Sequence, residues 1–344
     1  MPTARRSSGR PPPSATSPAT MLLVVNPRAS SFSQATEEGV VRTLETAFEL
    51  ETARTESPEH ALSLSRDAAR GGSHAVVAVL GGDGAVNEAA NGLAGTSTPL
   101  GPLPGGRTNV FCRILGVPND PLRAAAELCA LACARGGDGH PVHGYAPLPT
   151  RRVDLGTMNG RHFTFASGVG VTAVANHRLN VRGVPGQRLG GLVFALEALG
   201  IGAAYLRRPR RIEVESDGRS LACVSLVVQN ADPLTYLGRR PLPLCERAGL
   251  ETGTVSLALL RRLTVRESLL LAGRVVSGRG PQALAGEALA SLPAVPAARV
   301  RTLDGHPLPV EVDGDYVGEV DSIEYGVLPR GLSVVAPAGA GSGE

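Results

Sequence analysis

Short apolar runs that stop abruptly alternate with stretches of helical spacing through the first third of the chain. "MLLVVNP" is an apolar run halted by Asn-Pro, the pattern of a buried parallel strand. "SQATEEGVVRTLETAF" spaces its apolar residues for a helix, and "LETARTE" reads as a short strand. "SPEHALSLSRDAARGG" predicts a helix with Ser57 as N-cap, Pro58 in the first turn and glycines at its end. "HAVVAVLGGDG" is a second buried strand, and "GAVNEAANGLAG" a helix opened by the glycine turn and closed by Gly92 or Gly95. "PLGPLPGGRTNVFCRILG" repeats the sequence of strand, turn and helix start, and "PLRAAAELCALACARGG" supplies a further helix. Such alternation over residues 21–136 predicts an open α/β sheet with helices on both faces.

The pattern changes near "PLPTRRVDLG". From there short strands and turns dominate, with Asn159-Gly160 and Asp217-Gly218 as hairpin signals. "GLVFALEALGIGAAYL" and "VRESLLLAGRVVSG" are helical interruptions. The expected organisation is a disordered extension over 1–20, an α/β nucleotide-binding domain over 21–147, and a mainly antiparallel β-sandwich domain over 148–322. A strand within 323–338 could return to the first domain, which the sequence leaves open, and 339–344 forms a loose tail. No internal repeat is visible.

Composition narrows the chemistry. A chain of 344 residues with 42% apolar content can bury two cores. It contains no lysine, so all 34 basic residues are arginine. That excludes a Walker-type P-loop, which needs a lysine on the phosphates, and excludes Schiff-base chemistry. A net charge of +3 gives no argument for nucleic acid. The five cysteines are scattered, and Cys129 and Cys133, four apart in an Ala-rich helix, read as small buried residues and not as metal ligands. This usage fits a reducing, cytoplasmic setting. The first 20 residues lack the apolar core of a signal peptide, and no run of about 20 apolar residues offers a membrane span.

The turn "GGDG", Gly81 to Gly84, ends a buried strand and opens a helix. Free N–H groups at such a point make a phosphate cradle that glycine lets a ligand approach. Asp83 repels phosphate by itself and makes sense with Mg²⁺ between them. An ordinary strand-to-helix turn explains the glycines equally well. Asp83 and the following Asn87-Glu88 pair point past that reading. The second turn, Gly105, Gly106, Arg107, Thr108 and Asn109, can face the same crevice and adds N–H groups, a hydroxyl and a cation.

Together, "GGDGAVNEAANGL" and "PLGPLPGGRTNVFCRILGVP" resemble the diacylglycerol kinase catalytic domain family, shared by lipid and sphingosine kinases. "VVNP", "VDLGTMNGRHFTFASGVGVTAVA", "TYLGRRPLPLCERAGLETGTVSLALL" and "VEVDGDYVGE" extend the resemblance over about residues 21–336. It implies an ATP-dependent kinase that phosphorylates a lipid hydroxyl, with ATP between the domains. It places Asn26 on a nucleotide-side turn, Asp83 in a Mg²⁺-water network, and Gly81, Gly82 and Gly84 at the phosphates. Asn87, Glu88, Gly105, Gly106, Thr108 and Asn109 complete the nucleotide-binding set. Asp315 falls where the family carries the Glu of an Asp-Gly-Glu motif, its candidate general base. On spacing alone, Asp313-Gly314-Asp315 is a plain hairpin turn. Three residues depart from the family pattern: Ala85 for Thr, Val110 for Asp, and Asp315 for Glu. Only Glu251 stands where some relatives pair acids on a structural metal, so no such site is expected.

Other features carry less. "LRRPRR", residues 206–211, reads as a charged surface loop or as a contact for anionic headgroups. His140 and His143 read as linker residues, and the apolar stretch 191–206 as core or as lining for an acyl chain. The implied partners are a lipid alcohol and, peripherally, a membrane surface; oligomeric state, a homodimer included, stays open. An NAD kinase-like enzyme and a non-catalytic nucleotide-binding relative are the competing readings.

Overall fold

The computed structural model describes residues 19–133, 148–174, 211–262, 264 and 288–335. The expectations for the N-terminal extension up to residue 18, His140 and His143, the stretches 191–206 and 265–278, Arg207, Arg208 and Arg210, and the C-terminal tail lie outside the described residues.

The first half alternates as the periodicity predicts: β1 (Ala19–Val25), α1 (Gln34–Leu44), β2 (Phe48–Arg54), α2 (His60–Gly71), β3 (Val76–Gly81), α3 (Asp83–Leu93), β4 (Leu100–Pro104), α4 (Val110–Ile114) and α5 (Pro121–Ala132). The strands run parallel in the order β2-β1-β3-β4. β3 and β4 are buried throughout, which is why they read as unbroken apolar runs. Caps set the helix starts. The Ser33 hydroxyl accepts from Thr36 N–H at 3.1 Å to open α1, and Asp120 accepts from Arg123 N–H at 2.8 Å to open α5.

The start of α2 differs from expectation. The helix opens at His60, behind Glu59 in the left-handed region (φ 62°), and Ser57 contributes its carbonyl, which accepts from His60 N–H at 3.4 Å, and no side-chain cap. The acceptor for its first turn comes from a neighbour: Glu88 Oε2 on α3 accepts from Ala61 N–H at 3.2 Å. Of the two α5 cysteines, Cys129 is buried with its thiol on the Thr43 carbonyl, as expected, whereas Cys133 is exposed where the helix ends.

The second half supplies β5 (Thr150–Met158), β6 (Arg161–Phe163), β7 (Ala166–Gly170), β8 (Ile212–Ser216), β9 (Arg219–Cys223), β10 (Ser225–Gln229), β11 (Thr235–Leu237), β12 (Arg240–Leu242), β13 (Val255–Leu260), β14 (Leu289–Val295), β15 (Ala298–Thr302), β16 (Leu308–Val312), β17 (Asp315–Val320) and β18 (Ser322–Val335). β14-β13-β10-β7-β16-β17 form an antiparallel sheet. It faces β5, β6, β8, β15 and β18 across a core that includes Phe163, Ile212, Val300 and Ile323 from one sheet and Val169, Leu226, Leu257 and Val310 from the other. This is a sandwich. The turns Asn159-Gly160, Asp217-Gly218 and Asp313-Gly314 all take positive φ at both residues, as tight hairpins require.

β18 ties the halves together. It pairs antiparallel with β5 and β15, then parallel with β4 at Val334↔Leu100. A second apolar cluster crosses the seam: Val86, Ala89, Val110 and Phe111 pack with Val153, Leu155, Phe165 and Leu332. Each fully buried side chain of this size contributes about 1.5–3 kcal/mol by leaving water.

Candidate active site

Three loops meet at the carboxyl edge of β1, β3 and β4, the place where open α/β sheets bind ligands. The two glycine turns lie directly on one another. Gly105 N–H donates to the Gly81 carbonyl at 2.8 Å, and a Cβ on Gly106 would come within 2.6 Å of Gly82 Cα. Glycine at 105 and 106 is therefore demanded by the opposing turn, before any ligand is considered. Asn26 N–H donates to the Leu80 carbonyl at 2.9 Å, and its side-chain oxygen closes a turn with Arg28 N–H at 2.9 Å. Asn109 (φ 50°) is buried and wholly engaged: it accepts from Gly106 N–H and donates to the Gly106 carbonyl and to Asn119. Its amide shapes the turn. Thr108 is half-buried, and its hydroxyl has no hydrogen-bond partner among the described residues.

Asp83 opens α3, and its Oδ1 accepts from Phe111 N–H at 3.1 Å, fastening α4 to α3. Burial pushes its carboxyl up to about 6, the Val110 and Phe111 amides pull it back, and Asp313 and Asp315 add to the rise. Asp315, at the start of β17, arrives at the same turn from the far end of the chain. A Cβ on Gly84 would collide with Asp315 Oδ2. Asp315 remains open to solvent on its outer side. Its carboxyl lies above the ordinary range because packing withholds part of its water and Asp313 repels it; Arg161 opposes this and Glu88 reinforces it.

Asp313 was not among the residues the sequence singled out. It is buried and accepts five hydrogen bonds: from Asn87 Nδ2 (2.7 Å), Thr164 N–H (2.7 Å), Thr164 Oγ1 (2.8 Å), Phe165 N–H (3.0 Å) and Ala166 N–H (3.1 Å). Burial raises its carboxyl while those donors oppose the rise. Asn87 also donates to the His162 carbonyl at 3.0 Å, and Asn91 grips both the N–H and the carbonyl of His162. The Asn87-Glu88 pair thus holds scaffold: Asn87 stitches α3 to the second half, and Glu88 caps α2. The available signal for Asp313 was the fifth Asp-Gly pair of the chain, whose left-handed turn (φ 48° and 87°) aims its neighbour Asp315 at α3.

No group of three or more His, Cys, Asp or Glu side chains is drawn together for a metal among the described residues. The donor set does fit Mg²⁺, which takes one or two carboxylates and completes its shell with waters and phosphate oxygens. Asp83, held by one oxygen and crowded by Asp313 and Asp315, is a carboxylate that a cation would relieve.

These features define the class: an α/β domain and a β-sandwich whose seam brings glycine turns and carboxylates together. Residues 20–139 match the model of the diacylglycerol kinase catalytic domain family. The diacylglycerol kinase of Bacillus subtilis (strain 168) is 26% identical over 297 residues, covering 83% of this chain and 88% of that protein. A Chromohalobacter salexigens protein called "Probable lipid kinase YegS-like" is 26% identical over 326 residues, covering 92% and 93%. A crystal structure of a diacylglycerol kinase from Bacillus anthracis shares the fold at a TM-score of 0.63 and 19% identity, over 94% of this chain and 98% of that one. The resemblance read from the two glycine turns is borne out, and the similarity to these relatives runs through both halves.

Proposed function

We propose that this lipid kinase transfers the γ-phosphoryl group of ATP to the hydroxyl of a lipid alcohol, with Asp315 as general base. One observation carries the reading: the Asp315 carboxylate packs against Gly84, in the turn offered to phosphate. A turn that served folding alone has no need of a solvent-open carboxylate delivered from 231 residues away.

Phosphoryl transfer needs positioning, charge neutralisation and a base, not a covalent nucleophile. Gly81, Gly105 and Gly106 let the two turns lie against each other, Gly82 and Gly84 are the turn positions offered to the phosphates, and Asn26 and Thr108 border them. Asp83 is the residue that would hold Mg²⁺. Magnesium, when bound, neutralises phosphate charge. The acceptor oxygen forms its bond to the γ-phosphorus as the bond to the β–γ bridging oxygen breaks, and that electron pair leaves with ADP. Asp315 accepts the hydroxyl proton and passes it to solvent through its open side. A carboxyl raised above its ordinary range is the stronger base for this step.

No helix among the described residues is long and apolar enough to cross a membrane. A lipid acceptor is then met by docking peripherally at the membrane surface, from the cytoplasm, where five unpaired thiols are at home.

The test is transfer of labelled γ-phosphate from MgATP to diacylglycerol, a sphingoid base and phosphatidylglycerol in mixed micelles, with NAD in a separate reaction. The expected result is a labelled lipid that is absent with Asp315→Asn. Label on NAD, or ATP binding with no product on any acceptor, would overturn the lipid-kinase reading.

A further inference from the structure

A crevice for polyphosphate needs fixed positive charge, and this chain has no lysine to provide it. Arg107, inside the second glycine turn, is exposed. Arg113 is different. It sits on α4, the short helix that follows this turn and is fastened to Asp83 through Phe111 N–H. Its guanidinium carbon lies 3.5 Å from the centroid of the Tyr236 ring. Tyr236 is on β11 and packs, with Leu234, against the seam cluster of Val110, Phe111, Ala231 and Leu250. The ring is therefore anchored, and the guanidinium is held flat upon it.

Stacking engages the face of a guanidinium and leaves its in-plane N–H donors available. Among the described residues, those donors make no hydrogen bond and no ion pair. Arg113 is half-buried, so water satisfies them only in part. Arg239 and Asp83 are both near enough for their charges to act on it, yet no ion pair joins Arg113 to Asp83. A partly desolvated, immobilised cation with free donors beside a glycine turn is prepared for an oxyanion.

We infer that Arg113, held flat on Tyr236, is a phosphate-binding residue of the crevice, an assignment that rests on the kinase reading above. Its ligand is a phosphate group, carried either by the nucleotide or by the headgroup of an anionic acceptor. Tyr236 is the positioning residue: it comes from the second half of the chain and fixes a cation of the first. Arginine is required here and not any cation, because lysine neither stacks as a plane nor presents a fork of donors.

The experiment titrates MgATP and, separately, adenosine into the full chain, and measures KM for diacylglycerol and phosphatidylglycerol in mixed micelles. The variants are Arg113→Gln, Arg113→Lys, Tyr236→Phe and Tyr236→Leu. Arg113→Gln is expected to weaken ATP binding by roughly tenfold to a hundredfold, the range of one charge-assisted contact, and to leave adenosine binding unchanged. Arg113→Lys restores only part of the loss. Tyr236→Phe keeps the stack and the affinity, whereas Tyr236→Leu loses about threefold to tenfold. If Arg113→Gln binds ATP normally but raises KM for phosphatidylglycerol and not for diacylglycerol, the phosphate is the acceptor's and the assignment stands. If Arg113→Gln does not fold, Tyr236→Leu carries the same comparison against Tyr236→Phe. Unchanged ATP affinity together with unchanged KM for both lipids, in a folded variant, would overturn the assignment. A wild-type chain that binds no ATP would instead overturn the kinase reading, and this inference with it.

Discussion

The carboxylate of Asp315 rests against the backbone of Gly84, so that the first turn of α3 and the start of β17 leave no room for a methyl group between them. Gly84 does not occupy the left-handed region, so alanine meets no backbone strain there. Its own helix would gain up to about 1 kcal/mol from the better helix former. The atom that must yield is the free end of the Asp315 side chain. Gly84→Ala is therefore expected to keep or slightly raise the melting temperature and to lower kcat by about a hundredfold or more, the usual effect of misplacing a reacting group by an ångström. Thermal unfolding and steady-state kinetics on the same preparation check both halves. A fall in stability with kcat intact would contradict this account of the glycine.

The acid limb of the rate profile follows from the surroundings of Asp315. As a base it works ionised, and partial burial with the Asp313 charge sets its pKa above the ordinary carboxylate range. Activity is then full at higher pH and is lost as pH falls through that raised pKa. Arg161 is the cation that holds the value down, and its Nε is buried without a hydrogen-bond partner among the described residues. Arg161→Gln should move the acid limb of kcat/KM to higher pH and leave the plateau above it little changed. A limb that stays put, or moves toward acid, would separate Arg161 from the base.

Asp313 makes a prediction about folding. Its five donors come from Asn87 and from Thr164 to Ala166, so one carboxylate holds α3, the link between β6 and β7, and the turn before β17. Asp313→Ala leaves these buried donors without acceptors. At about 1–3 kcal/mol for each that water cannot reach, the loss should be about 3–5 kcal/mol. Asp313→Asn keeps one acceptor oxygen and should fall between alanine and wild type. Urea unfolding read by far-UV circular dichroism orders the three.

Much of this was legible in the chain, for local reasons. β3 and β4 are buried on both faces and so read as apolar runs, and Asn159-Gly160 and Asp217-Gly218 demanded tight turns because their residues tolerate positive φ. The glycine turns and Asp83 carried their chemistry on their face. What escaped depends on partners far away in sequence. Asp313 meets Asn87 across 226 positions and Thr164 across 149, and nothing near Asp313 announces either. Arg113 lay inside the quoted "TNVFCRILG" stretch with no role given to it until its stacking on Tyr236 was seen. Ser57 and Pro58 form a sound local start for α2, but the tertiary acceptor from Glu88 serves the helix three residues later, and the local signal was overridden.

That acceptor separates two roles for Glu88, which the motif resemblance assigns to the nucleotide. Its Oε2 receives Ala61 N–H at 3.2 Å, at the start of a helix with no side-chain cap of its own. A carboxylate at a helix N-terminus stabilises it both as acceptor and against the helix dipole. Glu88→Ala should therefore destabilise the fold by about 0.5–2 kcal/mol, the ordinary cost of a lost cap, and Glu88→Gln by less, since the amide oxygen still accepts. MgATP affinity should stay within about twofold of wild type in both, less than the tenfold or more expected of a lost charge-assisted ligand contact. Calorimetric melting and nucleotide titration on the two variants decide the matter. Weaker ATP binding at unchanged stability would return Glu88 to the nucleotide site, whereas lower stability at unchanged affinity makes it the cap that α2 lacks.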